Sequence, residues 1–81
     1  MNQMSPRVRL TFPTELVPRP VIGELARDFG VLANIRRADV SEDVGWIVCE
    51  LAGESDRVAE AITWMEDIGV SVDRLEHPLE S

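Results

Sequence analysis

Apolar and polar positions along this chain follow two rhythms, and the order of those rhythms is its main signal. Val8, Leu10 and Phe12 recur at every second residue, the spacing of a strand with one buried face. Val21, Ile22, Leu25 and Phe29 follow at helical spacing. Two further alternating runs occupy Leu32 to Val40 and Trp46 to Ala52. Val58, Ala61, Ile62 and Met65 restore the helical period, and Val70 to Leu75 makes a last short strand. The result is β-α-β-β-α-β in 81 residues, the split βαβ plan of ferredoxin-like α+β domains. Right-handed crossovers then predict a four-stranded antiparallel sheet, order 4-1-3-2, with two helices on one face. The second and fourth predicted strands are the edges. The uncovered face carries Arg9, Thr11, Trp46, Val48 and Glu50. Trp46 and Val48 are apolar for such a face, which makes them the candidate interface of a homodimer.

Local signals punctuate this pattern. Pro13 cannot donate to a ladder and closes the first strand. Pro20 suits a first helical turn, and Gly30 suits a left-handed cap at the end of that helix. Ser41 to Gly45 connects the middle strands and is too long for a two-residue hairpin turn. Ser55 or Asp56 is the expected N-cap of the second helix, which Gly69 stops. The ordered domain is therefore placed at residues 7–76, after a disordered N-terminus at 1–6 and before a flexible tail at 77–81.

Composition narrows the function. A single domain this short buries only roughly 60% of its unfolded surface, so its core is thin and dimerisation would add burial. Asp and Glu number 15 against 8 basic residues, a net charge of -7. Such a surface repels phosphate backbones, so neither nucleic acid nor an anionic membrane is an expected partner. All eight basic residues are Arg, which is read as genomic base composition. One cysteine permits no intrachain disulfide and fits a reducing compartment. The N-terminal residues form no apolar leader, and no apolar run approaches the ~20 residues of a spanning helix. A cytoplasmic protein without membrane insertion is expected.

Several chemistries known on this plan lack their residues here. Phosphate chemistry needs a Gly-rich loop of backbone N–H groups, but the loop after the first strand has no Gly, two prolines and Glu15. RNA binding needs stacking aromatics on the central strands, where only Trp46 stands. Metal chaperones and iron–sulfur ferredoxins need paired or clustered cysteines. Cys49 reads as a small buried hydrophobe. His77 has no thiol or carboxylate at a useful spacing, and Asp39, Glu42 and Asp43 lack the spacing of a calcium loop. The expectation is a protein that is not an enzyme, with no cofactor and no metal.

Dispersed residues carry a family resemblance. They are Val8-Arg9-Leu10-Thr11-Phe12-Pro13, Pro20-Val21-Ile22 with Leu25, Phe29-Gly30-Val31 and Asn34-Ile35. Gly45-Trp46, Glu50-Leu51-Ala52-Gly53, Ala61-Ile62-Thr63-Trp64 and Gly69-Val70 continue the series. Over residues 7–76 the chain resembles the NIL domain family. The family is named for Asn-Ile-Leu, where this chain has Asn34-Ile35-Arg36. The resemblance implies a ferredoxin-like domain similar to amino-acid-sensing ACT domains. NIL domains occur at the C-terminus of the ATPase subunit of bacterial methionine importers, where they pair, bind methionine near the pair interface and inhibit transport. Others are joined to ferredoxin modules in proteins linked to sulfur assimilation and homocysteine formation. This chain has neither a nucleotide-binding P-loop nor a cluster-binding cysteine set, so it is expected to be a free-standing NIL domain or one excised from a longer protein. Met1 and the short extra N-terminus favour the free-standing form.

An amino-acid ligand needs an acceptor for its ammonium, a donor for its carboxylate and an apolar slot. Glu15 with backbone carbonyls is the candidate acceptor. Asn34, Arg36 or backbone N–H groups are candidate donors, and Phe12, Leu16 and Ile35 are candidates for the slot. Each has an ordinary alternative: Asn34 capping backbone at a sheet edge, Arg36 and Arg37 deterring edge pairing, Glu15 as solvated loop. Two functional readings result. One is a homodimeric module sensing methionine or a related sulfur amino acid, with Phe12, Glu15 and Leu16 opposite Asn34, Ile35 and Arg36. The other is an accessory subunit of a sulfur-metabolism protein, docking through the open sheet face without a small ligand.

Overall fold

The alternation of Val8, Leu10 and Phe12 becomes the central strand of the sheet. The computed structural model describes residues 3–41 and 44–75; Glu42, Asp43, His77 and the tail at 77–81 lie outside them. Its strands are β1 (Gln3–Met4), β2 (Arg7–Phe12), β3 (Leu32–Val40), β4 (Gly45–Glu54) and β5 (Ser71–Arg74). Helix α1 begins at Val21–Glu24 and continues in a wider π-type segment, Leu25–Phe29, while α2 spans Ser55–Ile68. All pairings are antiparallel, in the order β5-β2-β4-β3, with β1 also on β4. Counting the four predicted strands alone, this is the expected 4-1-3-2 order, and the fold is ferredoxin-like.

The fifth strand lies within the stretch expected to be disordered. Gln3 pairs with Glu54 and Met4 with Gly53, in unbroken register with Arg7 and Glu50. Pro6 has no N–H to give, yet its carbonyl accepts from the Leu51 N–H at 3.0 Å. The proline thus interrupts the strand without shifting it, and the sheet begins upstream of residue 7.

Burial follows the pleat. Val8, Leu10, Phe12, Cys49 and Leu51 form the sheet layer of the core. Val21, Leu25, Val58, Ala61 and Met65 cover it from the helices, and Val31 and Val70 close its ends. All are 7% exposed or less, and among the described residues no polar side chain is buried. Phe29 packs on Trp64 with ring centroids 5.4 Å apart, joining the π-type segment to α2. Gly30 and Gly69 cap the two helices at φ +68° and +111°, the left-handed region that only glycine enters without strain. The expected cap at Ser55 or Asp56 is displaced: Glu54 occupies the N-cap in extended conformation without a side-chain bond, and Ser55 is already helical.

The nine residues of β3 are exposed except Ala33, which is half-buried. Its register on β4 breaks once. Ile35 opposes Cys49 and Arg37 opposes Val48, leaving Arg36 as the extra residue of a β-bulge. Because the face alternates with register, Asn34, Arg37 and Asp39 share the uncovered face with Glu50, Val48 and Trp46. Ala33, Ile35, Ala38 and Val40 lie on the helix side.

Candidate functional site

Charge on the uncovered face is organised around Glu50. Arg7 donates to its carboxylate at 3.0 Å and Arg36 at 3.2 Å. The hydrogen bond from Arg7, with that from Arg36, holds the Glu50 carboxyl below the usual glutamate range against the opposing effect of desolvation. A carboxyl depressed in the folded state contributes stability above its unfolded pKa and loses it as pH falls through the folded value. Glu50→Gln is therefore expected to flatten the acid limb of a stability-against-pH profile below about pH 4.3, the unperturbed glutamate value. Melts of both proteins at a series of acid pH values measure this, and identical acid limbs would rule it out.

Trp46 and Val48 do not form an open apolar patch on this face. Both are half-buried, and the Arg9 guanidinium lies 5.6 Å from the Trp46 ring centroid. Val48 stands between its two cross-strand neighbours, Arg9 and Arg37. Exposed apolar surface lies instead along β3 and the hairpin after it, at Leu32 (63%), Ile35 (49%), Val40 (60%) and Val44 (45%). Nothing in the alternation alone distinguishes these from covered positions, because coverage depends on where α1 ends.

Two recesses border this edge. One, of about 130 Å³, is walled by Phe12, Val17, Val21, Ile22, Val40 and Ile47, with Arg19 its charged member. Arg19 donates twice to Glu24, at 2.9 and 2.8 Å. The second is a shallower trough between α1 and the start of β3, lined by Ile22, Gly23, Ala26, Leu32, Ala33 and Asn34, with Ala52. Apart from Phe12, sequence reasoning missed the walls of the first recess. Their only sequence signal is that Val40 ends its strand on the same side as Phe12.

The structure separates the residues expected to act together. Phe12 opposes Gly45 and Asn34 opposes Glu50, so they stand five residues apart along β4, about 17 Å at the strand rise. Glu15 is exposed on the short 3-10 turn Thr14–Leu16. Leu16 reaches toward Gly69 and away from β3. Ile35 lies on the helix side of the edge, exposed, between the two recesses. Arg36 alternates to the uncovered face, which Asn34 shares, and Glu50 holds it there; the bulge keeps Arg37 on that face as well. The Asn34 side chain makes no hydrogen bond to another described residue, so its amide donor and acceptor are open to a ligand.

Cys49 is fully buried, and desolvation raises its pKa to about 11. Such a thiol is inert. It is expected to resist thiol reagents at pH 8 in the folded chain and to react at once in denaturant; rapid labelling without denaturant would contradict its place in the core. Among the described residues no group of three or more His, Cys, Asp or Glu could hold a metal ion, and no helix is long and apolar enough to cross a membrane.

A family model described as the NIL domain matches residues 6–74 of the chain. The methionine import ATP-binding protein MetN of Chromohalobacter salexigens is 37% identical over 76 residues, covering 89% of this chain and 22% of that protein. The protein of the same description from Streptococcus thermophilus is 36% identical over 69 residues, 80% of this chain and 19% of its own length. This chain thus spans about a fifth of these relatives. The L-aspartate semialdehyde sulfurtransferase iron-sulfur subunit of Methanosarcina acetivorans is 28% identical over 76 residues, 94% of this chain and 57% of that protein. A crystal structure of the C-terminal domain of an ABC transporter ATP-binding protein from Enterococcus faecalis superposes with a TM-score of 0.77 at 20% identity. It covers 91% of this chain and 87% of that one, which shows the shared fold.

Proposed function

Because the chain belongs to the NIL domain family, we propose that it is a non-catalytic regulatory module that binds methionine, or a related sulfur amino acid, between two copies of itself in the cytoplasm. One observation carries this reading: the exposed amide of Asn34, which bonds no other described residue, at the rim of an apolar trough on a sheet edge. An amide can donate to a ligand carboxylate or accept from its ammonium, and the apolar walls suit a thioether chain. Asn34 stands on the family's naming motif, and the relatives described as methionine importers support the ligand class. Arg36 stands on the same uncovered face as Asn34, where Glu50 holds its guanidinium.

The Methanosarcina relative favours a second reading, an accessory subunit in sulfur metabolism that docks a protein partner through the uncovered, arginine-rich face. Titration calorimetry with methionine and homocysteine separates the two. Saturable heat with a raised melting temperature is expected under the first reading. No heat and no thermal shift with any sulfur amino acid would leave the accessory reading.

A further inference from the structure

Half of the arginines of this acidic chain stand on one surface. Arg7 and Arg9 of β2 and Arg36 and Arg37 of β3 lie on the uncovered face, to either side of Val48 and Glu50 in β4. The acids placed there by register are Asp39, Glu50, Glu54 and Asp73, so charge on this face balances in a chain of net charge -7. The two helices carry the opposite bias, with six acids against two arginines. The sheet stands between those acids and the uncovered face, and exposed charges further apart than about 8 Å are largely screened at physiological salt. What meets this face is therefore governed by its own side chains.

The four arginines are not equally engaged. Glu50 holds Arg7 and Arg36. On the helices, Arg27 has Asp28 and Arg57 has Glu60. Arg9 and Arg37 are exposed, and neither forms an ion pair with another described residue. Asp73 lies directly across from Arg9 and Asp39 two residues beyond Arg37, yet neither carboxylate is engaged. Arg9 lies instead over the Trp46 ring, 5.6 Å from its centroid. Arg9 and Arg37 flank Val48 from the strands on either side, two strand spacings or about 10 Å apart. The centre of the face thus offers two open guanidinium forks with half-buried apolar surface, Val48 and Trp46, between and beside them.

We propose that this face docks an acidic segment of a partner protein, whose carboxylates take Arg9 and Arg37 and whose apolar side chain covers Val48 and Trp46. Guanidinium forks match carboxylates in two parallel hydrogen bonds, which fixes the segment as well as attracting it. A dense polyanion is a poorer fit, because Asp39, Glu50 and Asp73 surround the two arginines and repel all but a few well-placed charges. The inference rests on the accessory reading above and names the chemistry of its partner.

The probe is a capped peptide of glutamates around a single leucine, followed by the emission of Trp46 in a Trp64→Phe background. Trp64 packs on Phe29 of the helix layer, where phenylalanine keeps the ring contact. A saturable change in emission is expected, since the carboxylate meets the guanidinium that lies over the Trp46 ring. Arg9→Gln combined with Arg37→Gln should weaken binding by about tenfold, the effect of two exposed charge pairs. Added salt should weaken binding, and less so in the double variant. Arg57→Gln, on α2, should leave the affinity unchanged. Melting curves check that each variant remains folded. A glutamine version of the peptide that binds as tightly, an unaltered affinity in the double variant, or tighter binding of single-stranded DNA would overturn the acidic segment. Self-association of the wild type that the double variant loses, read by light scattering, would make the occupant a second copy and overturn it equally. No binding of any peptide also overturns it, whereas the accessory reading itself is decided by the methionine titration.

Discussion

Leu51→Ala is expected to remove a large share of the stability of this chain. Leu51 is fully buried in β4, the strand that pairs with β1, β2 and β3. Truncating a buried leucine removes transfer energy and leaves a cavity, together about 2–5 kcal/mol. At the usual 0.05–0.15 kcal/mol per residue, this domain has only about 4–12 kcal/mol in total. Leu51→Met keeps the volume and is expected to cost less than about 1.5 kcal/mol. Urea titrations of the three proteins measure the difference. A midpoint for Leu51→Ala close to that of Leu51→Met would mean that the core does not converge on this residue. Saturating methionine should recover part of the loss in the alanine variant, because a ligand that binds only the folded state stabilises it.

Asn34→Ala is expected to weaken methionine binding by roughly ten- to a hundredfold without lowering the melting temperature. A hydrogen bond to a charged group is worth about 1.5–3 kcal/mol, which converts to that range in affinity. Stability should hold because Asn34 is exposed, bonds no described side chain and is a poor strand former in any case. Calorimetric titration of both proteins with methionine, beside a thermal melt, gives the result. Equal affinities would place the ligand away from this edge.

These two expectations differ in how far the sequence alone supports them. The burial of Leu51 follows from its place in an alternating run with Ile47 and Cys49, since a sheet covered on one face must bury every second residue. The exposure of Asn34 beside an apolar trough does not follow from its neighbours in the chain. It depends on the line of α1 across the sheet and on the edge position of β3. The same holds for Trp46 and Val48, whose apolar character suggested an interface before cross-strand pairing put Arg9 over one and beside the other.

By itself, the sequence determined four of the strands, the two helices and their order, the buried faces of β2 and β4, the two glycine caps and the order of those four strands. All of these rest on periods of two and 3.6 residues, on the left-handed freedom of Gly30 and Gly69 and on the handedness of crossovers, which act over short stretches of chain. Only the tertiary structure decided register. The bulge between Ile35 and Arg37 puts Arg37 and Asp39 on the uncovered face and Ala38 and Val40 on the helix side, and the pairing of β4 with β2 and β3 sets Phe12 and Asn34 far apart. The continued register through Pro6 makes a strand of Gln3–Met4. Register is a relation between distant segments, and one inserted residue reverses the face of every later residue in its strand, so no local pattern encodes it.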